Sequence, residues 1–145
     1  MSTPWAEPRR CATAQDTEAL GAELAGSLKA GDVLLLDGPL GAGKTCLTRG
    51  LAKGLGADPE SVVSPTFALV REVGGGRLPL HHIDLYRLEG PREMASLGLE
   101  ELFDGDGISV VEWPERLGPL APKGAWRLSL AIQADGSREA RCLRP

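Results

Sequence analysis

Leucines recur at helical spacing near the start of the chain. Leu20, Leu24 and Leu28 lie four residues apart, so one face of an α-helix would carry all three. Residues 13–16 read Thr-Ala-Gln-Asp and resemble a capping box, and Gly31 is a typical stop signal. The pattern predicts a first helix that begins near residue 13, includes Leu28 and is stopped by Gly31.

Two short aliphatic runs, residues 32–37 and 108–111, are nearly continuous instead of alternating with polar residues. Such runs are typical of strands that are buried on both faces of a parallel sheet. Residues 44–55 follow the first run and place Leu47 and Leu51 on one face of a second helix. This order of strand and helix predicts an α/β fold.

Two further pairs of segments have the pattern of antiparallel hairpins. Residues 67–73 and 80–87 flank a run of three glycines, and residues 126–132 and 138–143 flank an Asp-Gly turn. On the first return strand, period-two alternation puts His82, Asp84 and Tyr86 on one face. A face with an imidazole, a carboxylate and a phenol is costly to bury without partners, which favours a polar cleft.

The chain shows no repeats and no linker that would divide it. Residues 91–103 are predicted to form one helix or two short ones, because Pro91 suits a first helical turn. Residues 1–12 are predicted to be a flexible lead-in, and residues 13–145 a single domain. The expected architecture is a mainly parallel sheet flanked by helices, with added antiparallel strands.

Composition and charge exclude several classes of protein. The formal net charge is −4 and only 4% of the residues are aromatic, whereas a stand-alone nucleic-acid binder normally carries a basic face. Any nucleic acid is therefore expected to arrive through a partner. Three distant cysteines support neither a disulfide framework nor a zinc site. No run resembles a signal peptide or a membrane span, so a cytoplasmic location without membrane contact is expected.

The strongest chemical signal is the run Gly-Pro-Leu-Gly-Ala-Gly-Lys-Thr at residues 38–45. It matches the P-loop pattern at every fixed position and lies between a predicted strand and a predicted helix. Backbone N–H groups of such a loop converge on phosphate oxygens, and the helix dipole adds to the anion site. Lys44 would reach the β- and γ-phosphates, and Thr45 would place its hydroxyl on Mg²⁺. The sequence predicts an ATP-binding P-loop NTPase domain.

A P-loop also needs a carboxylate for the metal, usually at the end of a neighbouring strand. Glu112 directly follows a predicted buried strand, and Asp84 is the competing candidate. His82 could be catalytic or a hydrogen-bonded structural histidine. Thr66 could be a switch residue that senses the γ-phosphate and Mg²⁺, or an ordinary turn residue.

In order along the chain, these pieces resemble the motifs of one family. They are residues 38–45, Ser64-Pro65-Thr66, His82-x-Asp84-x-Tyr86-Arg87 and Val111-Glu112-Trp113-Pro114. Together they are similar to the TsaE (YjeE) family, the ATPases of bacterial threonylcarbamoyladenosine tRNA modification. The resemblance covers about residues 13–143.

The resemblance implies a P-loop fold with a modified strand order and ATP hydrolysis. It also implies TsaB- and TsaD-like partners, which transfer a threonylcarbamoyl group to adenosine 37 of tRNA. The ATPase would support turnover of that complex without performing the transfer, and tRNA would be held mainly by the partners. Apart from the resemblance, the sequence identifies no loop arginine as an arginine finger, with Arg87 left open as a candidate, so the isolated protein is expected to be a slow ATPase.

The resemblance also implies roles for individual residues. The phosphate cradle would comprise Gly41, Ala42, Gly43, Lys44, Thr45 and Cys46. The metal ligands would be Thr45 and Glu112; the catalytic and switch positions would be Asp84, Glu112 and Thr66; and the nucleoside contacts would be Thr17 and Arg138. Pro39 and Cys46 depart from the residues usual in the family, and Pro39 removes one backbone N–H from the loop.

Two other functions remain open from the sequence. A small-molecule or nucleotide kinase would need an acceptor site and an arginine-bearing lid, for which 145 residues leave little room. A nucleotide-gated docking module would bind ATP without depending on its hydrolysis. A GTPase is disfavoured because no Asn-Lys-x-Asp motif occurs.

Overall fold

The structure is a computed structural model that describes residues 7–62 and 70–143. Its strands are β1 (Arg9–Cys11), β2 (Val33–Asp37), β3 (Val70–Val73), β4 (Leu80–Asp84), β5 (Ile108–Glu112), β6 (Trp126–Ile132) and β7 (Arg138–Leu143). Its α-helices are α1 (Ala14–Ala25), α2 (Lys44–Gly54), α3 (Pro91–Ser96) and α4 (Leu99–Phe103). Two 3₁₀ helices span Pro59–Ser61 and Pro114–Leu120.

The strands of the described segments form one sheet in the order β1-β7-β6-β2-β5-β4-β3. The four central strands β6, β2, β5 and β4 pair in parallel. The outer pairs β1–β7, β6–β7 and β3–β4 are antiparallel. The predicted architecture is confirmed: a mainly parallel sheet with antiparallel strands added at both edges.

Alternation along β2 explains why its first four residues are all apolar. Leu34 and Leu36 belong to the core beneath α1 and α2, while Val33 and Leu35 belong to the core on the opposite face. That opposite core also holds Leu99 and Phe103 of α4. A strand covered on both faces has no position left for an exposed polar side chain.

Helices α1 and α2 pack with their backbones unusually close. A Cβ atom built on Gly50 would lie 1.9 Å from the Glu18 carbonyl oxygen, and one built on Gly21 would lie 2.2 Å from the Leu47 carbonyl oxygen. Only glycine fits at such contacts. Because α2 begins directly after the glycine-rich loop, this packing ties the loop to α1.

Three local features differ from the predictions. Helix α1 starts as expected, with Thr13 and Asp16 forming a capping box, but it ends at Ala25 with a Gly26 cap. The segment 1–12, predicted as a lead-in, contains strand β1, which is too short to show a pattern. Strand β4 ends at Asp84 because its carboxylate accepts the Tyr86 N–H and turns the chain, so Tyr86 is not on the strand face as predicted.

The helical region after β4 forms the second of the two predicted alternatives. Helices α3 and α4 are separated at Gly98, which has a φ of 64°. Residues 67–69 of the first predicted hairpin lie outside the described residues, as does the Ser64–Thr66 motif. Within the described residues, no helix is long and apolar enough to cross a membrane.

Candidate active site

The glycine-rich loop joins the end of β2 to the start of α2. Gly41 and Gly43 have φ angles of 81° and 101°, a left-handed conformation that glycine adopts without steric cost. Gly43 is the N-cap of α2 and offers no side-chain cap to the helix. The first N–H groups of α2 are therefore left for an external acceptor, with the positive end of the helix dipole behind them. This arrangement suits a phosphate.

Lys44 is the first residue of α2 and is only 6% exposed. Its Nζ donates to the Gly38 carbonyl oxygen at 2.8 Å and lies 3.9 Å from Glu112 Oε1. The Trp113 ring covers the ammonium at 4.5 Å from its centroid, a favourable cation–π geometry. The lysine is thus held at the mouth of the loop by one carbonyl, one carboxylate and one indole.

Glu112 is the last residue of β5 and is 5% exposed. Besides Lys44, its carboxylate contacts His82, whose Nε2 lies 2.5 Å from Glu112 Oε2. His82 is 1% exposed, and its Nδ1 has no partner among the described residues. A buried carboxylate is stable only with such partners. The pair of contacts fixes both carboxylate oxygens of Glu112.

Asp84 lies opposite Glu112 in the parallel register of β4 and β5. Burial, and then the negative charge of Glu112, raise the pKa of Asp84, although the hydrogen bond from the Tyr86 N–H and the nearby His82 and Lys44 lower it. Two carboxylates at adjacent strand ends, one with a raised pKa, are typical of a functional site.

Trp113 follows Glu112 and has a φ of 58°, the one positive value outside glycine among the described residues. Its ring contacts that of Tyr86, with centroids 4.8 Å apart and planes tilted by 39°. Left-handed backbone at a bulky residue costs of the order of 1–3 kcal/mol. Trp113 thus has a strained backbone conformation at the position from which its ring covers the Lys44 ammonium.

A cavity of about 250 Å³ adjoins the outer side of the loop. Its lining includes Thr17 of α1, Gly41 and Gly43 of the loop, Cys46 of α2 and Arg138 of β7. Thr17 is 2% exposed, and its Cγ2 lies 3.5 Å from the Cβ position at Gly43. The two residues assigned to the nucleoside by resemblance therefore share one cavity beside the phosphate loop.

The structure brings together most of the residues expected from the sequence. The loop runs directly into the first turn of α2, which holds Thr45 and Cys46. Asp84 and Glu112 are neighbours at the ends of β4 and β5. Thr17 and Arg138 line the cavity. Thr66 lies outside the described residues. The contact of His82 with Glu112 and that of Trp113 with Lys44 were not predicted, because nothing in the local pattern specifies such pairs.

The donors at this end of the sheet fit Mg²⁺. Thr45 offers a hydroxyl and Glu112 a carboxylate, which are the hard oxygen ligands that Mg²⁺ prefers. The described residues contain no cluster of three or more His, Cys, Asp or Glu side chains that could hold a metal ion. This is expected for Mg²⁺ in a nucleotide site, because one or two protein ligands suffice when phosphates and water supply the others.

The fold and the loop together define a single-domain α/β protein of the P-loop class. A protein-family model described as "Threonylcarbamoyl adenosine biosynthesis protein TsaE" matches residues 11–141. The chain belongs to the TsaE family, as its motifs predicted.

Similar proteins from three bacteria are named tRNA threonylcarbamoyladenosine biosynthesis protein TsaE. The protein of Nostoc sp. PCC 7120 is 48% identical over 87% of this chain and 78% of its own length. That of Treponema pallidum is 43% identical over 90% and 96%, and that of Bacillus subtilis is 41% identical over 90% and 80%. The crystal structure of Bacillus subtilis YdiB is also similar, with a TM-score of 0.77 at 34% identity over 92% of this chain and 82% of YdiB.

Proposed function

We propose that this protein binds ATP with Mg²⁺ and hydrolyses it as a component of the tRNA threonylcarbamoyladenosine machinery. The observation that carries this proposal is the position of Lys44. Its ammonium is buried at the start of α2, between the loop carbonyl of Gly38 and the carboxylate of Glu112. A buried lysine beside uncapped helix N–H groups is suited to the negative charge of a triphosphate.

The same geometry supports a proposed metal site. Thr45 and Glu112 would hold Mg²⁺ together with the phosphates. Bound Mg²⁺ neutralises charge on the phosphate oxygens. Lys44 would serve the phosphates, and the Glu112 carboxylate, oriented by His82, would be available to the metal.

Asp84 is the candidate for positioning the attacking water, and Thr66 is the proposed switch residue. The raised pKa of Asp84 makes its carboxylate a better proton acceptor than an ordinary aspartate. We expect Asp84→Asn to bind ATP but to hydrolyse it slowly. Glu112→Gln should instead lose the Mg²⁺ dependence of ATP binding. Calorimetry with and without Mg²⁺, together with phosphate-release assays, distinguishes these roles. Full turnover in both variants would show that neither carboxylate belongs to the site.

Slow turnover in isolation is expected because neither Arg138 nor Arg87 is fixed in place as an arginine finger. Arg138 directs its guanidinium to backbone carbonyls, and Arg87 is exposed after the end of β4. An arginine finger is worth about 10³–10⁵ in rate. A partner that supplies or organises such a charge would therefore control hydrolysis.

The names of the relatives support a place in tRNA modification. We propose that TsaB- and TsaD-like proteins are the partners, that tRNA binds through them, and that the setting is cytoplasmic. The test follows phosphate release from Mg²⁺-ATP by the purified chain, alone and with the partner complex.

Lys44→Ala is the negative control for this assay, and Lys53→Ala, at the exposed end of the same helix, is the matched control. We expect slow release alone, acceleration by the partners and loss only in Lys44→Ala. Fast turnover that ignores the partners and passes phosphate to a small acceptor would instead indicate a kinase.

A further inference from the structure

Arg138 directs all three types of guanidinium nitrogen to backbone carbonyl oxygens. Nε donates to Ala42 O at 3.2 Å, Nη2 donates to Gly41 O at 2.9 Å, and Nη1 donates to Gly136 O at 2.5 Å. Two of the three acceptors belong to the phosphate loop, and the third belongs to the turn between β6 and β7. The planar fork of arginine can hold several acceptors in fixed directions, which the single ammonium of lysine cannot do.

These bonds determine which way the loop peptides face. In a trans peptide the C=O of one residue points opposite to the N–H of the next. Holding the Ala42 carbonyl toward Arg138 therefore turns the Gly43 N–H to the opposite side. The Gly41 carbonyl is held in the same way, and the Ala42 N–H at the other end of that peptide donates to Pro39 O at 3.1 Å.

The other end of the loop is held from within. The Gly38 carbonyl accepts from Lys44 Nζ, so Arg138 and Lys44 hold loop carbonyls from two sides. Within the described residues, the Gly43 N–H donates no hydrogen bond. An N–H left free in this way is available to an anion.

The position of Arg138 is itself rigid. Strand β7 pairs on both sides at this residue, with Cys11 of β1 and Ile132 of β6. No carboxylate of the described residues forms an ion pair with Arg138, so its charge is not neutralised locally. A fixed positive charge behind the loop adds to the attraction for phosphate.

From this geometry we infer that Arg138 is a positioning residue for the phosphate cradle, and not primarily a nucleoside contact. It holds the Gly41 and Ala42 carbonyls so that the Ala42 N–H closes the turn onto Pro39 O and the Gly43 N–H stays available to phosphate. The inference rests on the proposed function, since it assumes that the loop binds a polyphosphate.

The experiment compares ATP with inorganic tripolyphosphate, which lacks the nucleoside. Both ligands are titrated by calorimetry into the wild type, Arg138→Ala, Arg138→Lys and Arg141→Ala at constant ionic strength. Arg141 is the matched control, because it is an exposed arginine of the same strand that pairs with Glu139. Circular dichroism and thermal unfolding establish that each variant is folded.

We expect Arg138→Ala to lower the affinities for ATP and for tripolyphosphate by the same factor. This factor should be roughly ten- to a hundredfold, as for the loss of charge-assisted hydrogen bonds. Arg138→Lys should resemble Arg138→Ala, because it keeps the charge and loses the fork. Arg141→Ala should bind both ligands normally.

Two results would overturn the inference and leave the proposed function standing. One is a loss of ATP affinity with unchanged tripolyphosphate affinity in Arg138→Ala, which would show that Arg138 contacts the nucleoside. The other is normal binding of both ligands by Arg138→Lys, which would show that Arg138 contributes only its positive charge. A wild type that binds neither ligand would remove the proposed function and this inference together.

Discussion

At the scale of single residues, the site concentrates ionisable groups that are almost fully buried. Lys44, His82 and Glu112 are 6%, 1% and 5% exposed, and each would be costly to bury alone. Mutual contacts reduce that cost without making such a group of charges a strong stabiliser. We interpret their retention as functional, because Lys44 and Glu112 both serve the proposed Mg²⁺-ATP site.

The contact between His82 and Glu112 leads to a prediction about metal binding. His82→Phe keeps a ring in the buried position but removes the hydrogen bond to Glu112, so the carboxylate loses its orientation. Partners of metal ligands are typically worth ten- to a hundredfold in metal affinity. We expect the Mg²⁺ concentration that half-saturates ATP binding to rise by about that factor. His81→Phe, the neighbouring histidine on the opposite face of β4, is the control, and equal Mg²⁺ dependence in the two variants would refute the role.

Asp84 leads to a prediction about stability and pH. Its pKa is raised chiefly by burial. In the pH window between the ordinary aspartate pKa of about 3.9 and this raised pKa, the native state therefore binds more protons than the unfolded state. The free energy of unfolding therefore falls as the pH rises through that window, and the ionised group destabilises the native state at neutral pH.

We expect Asp84→Asn to raise the midpoint of thermal unfolding at pH 7, even though it slows hydrolysis. The difference from the wild type should narrow as the pH is lowered from 7 through the raised pKa, because the native carboxyl takes up a proton there. Thermal scans across this range test the sign. Asp104→Asn, at an exposed aspartate, is the control, and a lower midpoint for Asp84→Asn at pH 7 would contradict the argument.

At the scale of elements, the pairing of α1 with α2 gives the phosphate loop its support. Gly21 and Gly50 allow the two helix backbones to touch, and Thr17 of α1 thereby reaches Gly43 at the end of the loop. The loop is thus held by α1 through α2 and by β7 through Arg138. Neither element is adjacent to the loop in sequence.

The close approach of these helices predicts a large effect for a small substitution. Gly50→Ala would place a Cβ atom 1.9 Å from the Glu18 carbonyl oxygen, and backbone cannot yield as a side chain can. Overpacking costs about 1–3 kcal/mol or more, which exceeds the gain of about 1 kcal/mol from helix propensity.

We therefore expect Gly50→Ala to lower the free energy of unfolding, measured in urea, and to weaken ATP binding because α2 shifts at its first turn. Gly74→Ala is the control, since a Cβ atom there meets nothing within 4 Å. Unchanged stability of Gly50→Ala would show that the helices can separate at little cost.

At the scale of the whole molecule, the charge balance separates nucleotide binding from tRNA binding. The net charge is −4, and the positive groups Lys44 and Arg138 are committed to the phosphate loop. Nucleic-acid affinity depends on neutralising many phosphates with basic side chains. The described residues thus support the proposed nucleotide site, and the negative net charge does not favour a basic surface.

We accordingly expect no measurable affinity of the isolated chain for tRNA at physiological salt. tRNA should be retained only when the partner complex is present, in a gel-shift or anisotropy assay with labelled tRNA. Arg10→Ala, at an exposed arginine that pairs with Asp135, should change nothing. Tight, salt-sensitive binding of tRNA by the chain alone would overturn the assignment of tRNA to the partners.

The sequence by itself determined the features that depend on neighbours along the chain. The phosphate loop, the capped start of α1, the buried central strands and the turn glycines are each specified within about ten residues, where spacing and backbone preference act directly. Glu112 and Asp84 were also accessible, because the ends of parallel strands meet at one edge of a sheet.

Only the tertiary structure decided which distant groups meet. Arg138 reaches loop carbonyls 96 and 97 residues away, and His82 reaches Glu112 across 30 residues. Such contacts follow from strand order and register, which hydrophobic periodicity leaves open. Strand β1 was hidden for the same reason: its three residues have no pattern of their own and are strand only because β7 pairs with them.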